Sequence, residues 1–428
     1  MSTPTLLSAA NALYDVFGNR HRVRDDWNRK LSSENARLAR AVLGLCLRKW
    51  GRLNTWYAPK LKDSARGLPI RTQIALSIGL AQLAWLPGVP VHAAVAESVE
   101  LLSDPKNGFP PHKGLANAIL RSASKDRPAL TESIDSLPTK LDCTPYTEKL
   151  LRDALQGQYL PKNVEKLWKK LQLPPVHGFV TIRGNPPDSL CPNPHFPKAL
   201  WLQPERDFPL DWLKSGCGMV QDISSQAVMD FCLPSDYPEP KRILDLCAAP
   251  GGKTTSLRQM FPHAQIIAIE QNVRRAEKMK ENFKTRRIDV EVIVAEATEW
   301  LGGKGDSFDL ILLDAPCSAS GTFRKHPELN WISEISSIER LTDIQKGLLD
   351  AAVGRLSFRG LLIYSVCSWF PEEGINHLPK LLATHPKLAH AHIWRDGNKG
   401  ETTHIFRPDP LTWDGEGFQG FAVGLLGG

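Results

Sequence analysis

Two cysteines stand where a sheet would present them to a ligand. Within residues 309–321 an apolar run of strand length ends on Asp314, and Pro316-Cys317 follows at once. Fifty residues after Cys317, a second apolar run, Leu361 to Ser365, leads into Val366-Cys367-Ser368. A thiol attacks as thiolate, so a reactive cysteine must be accessible and lie in positive or helix-end surroundings. Covalent attack by such a group splits one difficult step into easier ones. We read Cys317 and Cys367 as a catalytic pair, with Asp314 beside them.

A second constellation suits a small-molecule ligand. Ile243-Leu244-Asp245-Leu246 reads as a strand, and Cys247-Ala248-Ala249-Pro250-Gly251-Gly252-Lys253 as a tight loop, with a helix starting near Thr254. Small residues let a ligand press against the backbone, and a helix N-terminus offers free amide donors. Glu270 closes the next strand, where an acid can hold ribose hydroxyls. Neither the G-x-G-x-x-G spacing nor a Walker loop is present. The loop therefore favours S-adenosylmethionine, a nucleoside without phosphates, over a dinucleotide or ATP. Asp245 to Lys253, Glu270, Glu296, Asp314 and Cys367 all follow the ends of successive strands, which is where doubly wound sheets bind ligands.

The elements that must hold these residues are legible. From Lys241 onward strands alternate with helices: Arg242–Leu246, Gln265–Ile269, Val290–Val294, Leu310–Leu313 and Leu361–Ser365, with helices over Arg274–Lys284 and Ile335–Leu356 and a late strand pair over Ala389–Ile393 and Phe421–Leu426. Near-continuous apolar strands predict a parallel sheet covered on both faces. Residues 1–138 lack period-two alternation and carry apolar residues at three- and four-residue spacing, as in Leu38, Ala41, Val42 and Leu45. Four or five helices are expected there, with breaks at Gly51, at residues 86–90 and at residues 104–111. Residues 139–235 are rich in proline and read as a small α+β module, in which Asp222 or Ser224 caps a helix. Residues 236–428 form the third division.

Composition limits the setting. The chain has 428 residues, 42% hydrophobic and 23% charged. No apolar run reaches the about 18 residues of a membrane span, and the N-terminus lacks the pattern of a signal peptide, so a cytoplasmic protein without a membrane partner is expected. None of the eight cysteines forms a C-x-x-C pair, which predicts neither a disulfide framework nor a metal site. Net charge is +7, and residues 20–71 hold 14 Lys and Arg against four acids. Such a stripe suits a polyanion through counterion release, or forms a solvated helical face.

With these motifs in view, Val89 to Val95 followed by Gly114 to Arg121 resembles the NusB-like all-helical RNA-binding fold. Within it His92 and Asn117 are expected to make inter-helix hydrogen bonds. The three later motifs, Asp245 to Thr254, Leu312 to Gly321 and Tyr364 to Ser368 with Pro371-Glu372-Glu373, resemble the RNA cytosine-5 methyltransferase (Nop2/Sun/Fmu) family. The whole layout is similar to the branch acting on bacterial small-subunit ribosomal RNA. The resemblance implies an α/β class I, Rossmann-like methyltransferase core and S-adenosylmethionine as methyl donor.

It also implies site roles. Cys247, Ala248, Ala249, Pro250, Gly251, Gly252 and Lys253 line the methionine end and ribose of the cofactor, Glu270 takes the ribose hydroxyls, and Glu296 faces the adenine side. Both acids are one methylene longer than the family's usual Asp, and Val366 replaces its usual Thr. Cys367 is the nucleophile that adds to C6 of cytosine, Cys317 assists product release, and Asp314 contacts the base edge near N3 and N4. Lys253 supplies positive charge or shapes the loop. Arg275 has a functional or a surface role. Arg324, Lys325 and His326 meet RNA phosphates or form an ordinary basic loop. A monomer acting on RNA is expected. A transfer-RNA substrate, a DNA cytosine-5 enzyme with Cys317 as nucleophile, and a non-catalytic ribosome-assembly factor are the alternatives.

Overall fold

The computed structural model describes all residues except 1–2, 25, 62–66, 104–109, 156–160, 234–236, 304, 333–334, 391–404, 407–414, 416 and 426–428. Two units emerge: Met1–Leu173 with Phe323–Ser333, and Pro174–Thr322 with Glu334–Gly428.

The first unit is helical: α1 (Thr3–Phe17), α2 (Ser33–Tyr57), α3 (Ile70–Trp85), α4 (Val91–Glu100), α5 (Lys113–Ala123), α6 (Arg127–Asp135), α7 (Pro145–Leu155) and α8 (Pro161–Leu171). Side-chain caps start α2, α6 and α7, the last through Thr144, which accepts from the Thr147 amide at 3.1 Å. Ser32 accepts from the Asn35 amide, and Asp126 from that of Ala129, satisfying donors that have no helical partner. Helix α3 is buried on nearly every side, from Thr72 to Leu83, so it forms the axis of a core that includes Leu6, Leu13, Val42, Ala94 and Leu120.

The break expected at Gly51 falls two residues earlier: α2 kinks at Lys49, whose φ of −123° and ψ of 16° are not helical. The glycine itself serves a close approach: a Cβ there would lie 1.6 Å from the Leu141 carbonyl oxygen. The expected inter-helix bonds do not form. His92 is exposed, and Asn117 accepts from Arg121 on its own helix at 3.2 Å.

The second unit holds two sheets. The small one contains β1 (Gly178–Thr181), β2 (Leu190–Pro192), β3 (Leu200–Leu202) and β4 (Gly218–Val220), in the order β2-β3-β1-β4. Two helices accompany it, α9 (Leu210–Lys214) and α10 (Ile223–Cys232). Asp222 caps α10 by accepting from Ser224 N at 2.8 Å.

The large sheet contains β5 (Arg242–Leu246), β6 (Gln265–Glu270), β7 (Glu291–Val294), β8 (Phe308–Asp314), β9 (Leu356–Val366), β10 (Leu388–His390), β11 (Ile405–Phe406) and β12 (Gln419–Leu425). Its path is β10-β12-β9-β8-β5-β6-β7, with β11 beside β12. Helices α11 (Gly252–Met260), α12 (Val273–Arg286), α13 (Ala297–Gly302), α15 (Ile335–Val353) and α16 (His377–Thr384) connect the strands, while α14 (Leu329–Ile332) lies in the stretch grouped with the first unit.

Strand alternation explains the layering. Leu244, Ile311, Leu313, Leu362 and Tyr364 pack against Leu348 and Leu349 of α15 and Leu378 of α16. Their neighbours Ile243, Leu310, Leu312, Leu361 and Ile363 pack on the other face, against Val228 of α10 and Leu257 of α11. Side chains of successive strand residues point to opposite faces, so both faces of the sheet are buried. Five strands pair in parallel, as the sequence predicts. The edge departs from that expectation: β12 runs antiparallel to both β9 and β10, giving a mixed sheet. The chain leaves β5 for β6 on one side and returns with β8 on the other. Strand order therefore reverses at β5 and β8, where such sheets open a ligand crevice.

Candidate active site

The register of β8 and β9 places Asp314 beside Ser365. The Ser365 hydroxyl donates to Asp314 Oδ1 at 2.8 Å, and Ala315 N donates to the Ser365 carbonyl at 2.9 Å. This pairing carries the two chains off the sheet together. Cys317 and Cys367 then meet with their sulfurs 3.4 Å apart, and both are partly exposed. The hydrogen bond to Cys367 pushes the Cys317 thiol well above the ordinary thiol range, followed by burial and by charge on Cys367 and Glu373. A protonated Cys317 can donate a hydrogen bond to a neighbouring thiolate.

Across the crevice the Lys253 ammonium donates to Asp314 Oδ2 at 2.7 Å. Lys253 is buried, and its nitrogen sits 4.8 Å over the Phe418 ring. Asp314 is therefore held at both oxygens, by a cation from the first turn of α11 and a hydroxyl from β9.

The loop after β5 is tightly constrained. Gly251 adopts a φ of +91°, where a Cβ would come within 2.7 Å of the Phe283 ring. Cys247 also lies in the left-handed region. Gly251 N bonds the Ala248 carbonyl at 2.8 Å. Arg275 donates to the Ala249 carbonyl at 2.7 Å, and Asn282 to that of Pro250 at 3.2 Å. Arg275 consequently buttresses the loop, a role its position in the sequence left open.

Three carboxylates surround Cys247. Its thiol is pushed up to about 12 by burial first, then by Asp314, Glu270 and Asp245. Asp245 is buried. One oxygen accepts from Thr254 at 2.5 Å, and the other has no hydrogen-bond partner among the described residues. Burial lifts its carboxyl to about 7, against the Thr254 hydrogen bond. Glu270 is likewise buried. Its Oε1 accepts from Asn272 N at 2.9 Å, and its Oε2 has only the Arg275 guanidinium 3.6 Å away, beyond hydrogen-bond length. Two unfilled carboxylate oxygens, a loop of small residues and a helix start form a cradle for a cationic nucleoside, and these residues fit S-adenosylmethionine.

Not every predicted residue joins this cluster in the same way. Glu296 caps α13, accepting from Glu299 N at 2.8 Å and from the Thr298 hydroxyl. Burial is the largest influence on it and pushes it up, but the Thr298 and backbone hydrogen bonds prevail and hold it below the usual carboxylate range. Arg324 is buried while Lys325 is exposed, so the phosphate-contact reading of the 324–326 segment survives only for Lys325 and the half-buried His326. Sequence reasoning assigned no role to Ser365 or Ser318. A hydroxyl near the end of β9 and another directly after Cys317 were the available signal.

Residues 235–418 match the 16S rRNA methyltransferase RsmB/F family, and residues 4–125 match the NusB family. A ribosomal RNA small subunit methyltransferase B from Sodalis glossinidius is 32% identical over 320 residues, covering 73% of this chain and 72% of its own. The protein of the same name from Serratia proteamaculans is 30% identical and covers 80% of each chain. Among solved structures, PH0851 covers 99% of both chains with a TM-score of 0.75 at 19% identity. NSun6 from Pyrococcus horikoshii, crystallised with SFG, covers 67% of this chain and 99% of its own, with a TM-score of 0.56 at 18% identity. Those two likenesses concern the fold. The sequence matches at both ends, with a cradle that fits S-adenosylmethionine, show that the chain belongs to the ribosomal RNA small subunit methyltransferase B family of S-adenosylmethionine-dependent enzymes.

Proposed function

We propose that this protein methylates C5 of a cytosine in small-subunit ribosomal RNA through a covalent adduct at C6. The observation that carries this reading is the contact of the Cys317 and Cys367 sulfurs, 3.4 Å apart, at the ends of adjacent strands. C5 of cytosine is a poor nucleophile. Addition of the Cys367 thiolate to C6 makes C5 enamine-like and able to take a methyl group. S-adenosylmethionine, held by residues 247–253 with Glu270 and with Glu296 at the adenine side, supplies an electrophilic methyl group.

Asp314 accepts from the cytosine amino group while Lys253 and Ser365 fix its carboxylate. This arrangement favours cytosine over uracil, because an acceptor-only group cannot bond a carbonyl oxygen. After methylation the C5 proton passes to solvent, its bonding pair restores the C5–C6 double bond, and the C6–Sγ bond breaks with its pair returning to the Cys367 sulfur as thiolate. Cys317, protonated, donates a hydrogen bond to the departing Cys367 thiolate and so assists release. A base in a duplex must be extruded to reach this crevice. We assign RNA holding to the basic helical residues 1–138 and the 139–235 module, and the chemistry to residues 236–428 of a monomeric, cytoplasmic enzyme.

Small-subunit ribosomal RNA carrying 5-fluorocytosine tests the reading, because fluorine at C5 blocks the elimination. Cys317→Ala is expected to accumulate the covalent adduct, and Cys367→Ala to form none. The reverse pattern would make Cys317 the nucleophile. An adduct formed on transfer RNA alone would move the substrate. No methyl incorporation from labelled S-adenosylmethionine into unmodified RNA would leave a binding protein.

A further inference from the structure

Glu373 is fully buried, and no step above uses it. Its carboxylate lies between the two cysteine loops. Oε1 accepts from Ser318 N at 2.7 Å and faces Gln345 Nε2 at 3.4 Å. Oε2 accepts from the hydroxyls of Ser318 and Ser368, each at 2.5 Å. Ser318 follows Cys317, and Ser368 follows Cys367. One carboxylate therefore grips the residue next to each thiol.

The surrounding bonds extend that grip. Gln345 also donates to the carbonyl of Pro316, immediately before Cys317, at 2.8 Å, and its own oxygen lies 3.0 Å from His377 Nε2. The Tyr364 hydroxyl donates to the Glu373 carbonyl at 2.5 Å. Each serine hydroxyl has one proton. Ser368 spends its proton on Glu373, so in its 3.0 Å contact with Ser320 the latter donates. A buried carboxylate is costly unless its acceptors are filled, and here the shortest bonds all come from the flanks of the two thiols.

We propose that Glu373 is a positioning residue: by clamping Ser318 and Ser368 it holds the sulfurs of Cys317 and Cys367 in contact, and its negative charge disfavours a second thiolate in the pair. The inference rests on the proposed catalytic pairing of those cysteines. The groups that act on Cys317 are Cys367 at the end of β9 and Glu373 in the loop before α16. Tyr364 of β9 is within electrostatic reach of Cys317, Glu373 and Asp314. His377 of α16 reaches Glu373 only through Gln345.

Iodoacetamide reacts with thiolates, so labelling of each cysteine, mapped by peptide mass spectrometry across the pH range without RNA or S-adenosylmethionine, reads the pair. Glu373→Gln keeps the shape and removes the charge. The labelling midpoint of Cys317 is expected to fall by about one pH unit, a tenfold rise in labelling at fixed pH. Single-turnover methyl transfer is expected to slow about 100-fold through misplacement of the thiols, with RNA affinity unchanged. A lower melting temperature with an unchanged labelling profile would reduce Glu373 to a support of the fold and overturn the proposal. If Glu373→Gln does not fold, Ser318→Ala and Ser368→Ala each remove one arm. Each is expected to alter labelling of the adjacent cysteine, and wild-type profiles in both would overturn the proposal equally. Labelling needs neither substrate nor cofactor, so failure of the cytosine reading, seen as no adduct in the wild-type protein, is a separate result.

Discussion

Lys253 and Asp314 form an ion pair, Nζ to Oδ2 at 2.7 Å, that joins the first turn of α11 to the end of β8. The lysine side chain is 7% exposed and the aspartate 33%, so the pair sits at the wall of the crevice with its acid turned toward solvent. The contact ties the segment proposed to cradle the cofactor to the acid proposed to read the base.

Lys253→Met tests this link. The substitution leaves Asp314 with the Ser365 hydroxyl alone, and an acceptor without its partner costs about 1–3 kcal/mol. A modest fall in melting temperature is expected. Methyl transfer should fall further, by about 100-fold or more, since one preorganised electrostatic partner is lost. Near-normal turnover with reduced stability would confine Lys253 to shaping the loop.

Asp245 predicts a pH dependence. Burial keeps its carboxyl protonated up to about pH 7 in the folded protein, whereas an unfolded chain releases that proton near pH 4. Between these values the folded state binds more protons, so this group makes stability decline as pH rises, with no further change above about 7. Asp245→Asn removes the effect. Its stability relative to wild type should improve by on the order of 2 kcal/mol between about pH 5 and about pH 8, measured by denaturant unfolding. S-adenosylmethionine, a cation, should bind wild type more tightly as pH rises through about 7, and titration calorimetry should find that trend absent in Asp245→Asn. Parallel stability curves would show that the Asp245 proton is not retained.

The strands, the cofactor loop and the cysteine pair were legible in the sequence because each is a local pattern. β5 spans Arg242–Leu246, as its apolar run and closing loop require. What could not be read depends on partners distant in the chain. The break read at Gly51 comes at Lys49, and the need for glycine at position 51 shows only when the chain near Leu141 is seen to cross it. Glu373 stands in the Pro371-Glu372-Glu373 motif, yet its carboxylate bonds Ser318, 55 residues earlier. Glu296 lies at a strand end, as a ligand contact should, but the short helix after it needs a cap and draws on the same carboxylate. The antiparallel edge was hidden because β12 reads as an apolar strand whichever way it runs.

The basic stripe separates in the same way, and the separation can be measured. Arg52 is buried, with Nε 2.5 Å from Asp142 Oδ2. Lys49 bonds Asp135 at 2.6 Å. Arg22, Arg29 and Arg37 are exposed. Burial raises Asp142 to about 6 even though Arg52 pulls it down, so Arg52→Met leaves a buried acid that must fold protonated. A stability loss of about 3–5 kcal/mol is expected, with the binding of RNA by the remaining folded protein little changed. Replacing Arg22, Arg29 and Arg37 together by alanine should do the opposite. Each surface change moves stability by about 0.5 kcal/mol or less, while the salt dependence of RNA binding loses about two units of slope, roughly 0.7 for each phosphate contact on single strands. Fluorescence anisotropy against salt concentration reads the slope. An unchanged slope would mean that RNA engages a different surface, because counterion release counts the charges in contact and not those that merely lie on the helical unit.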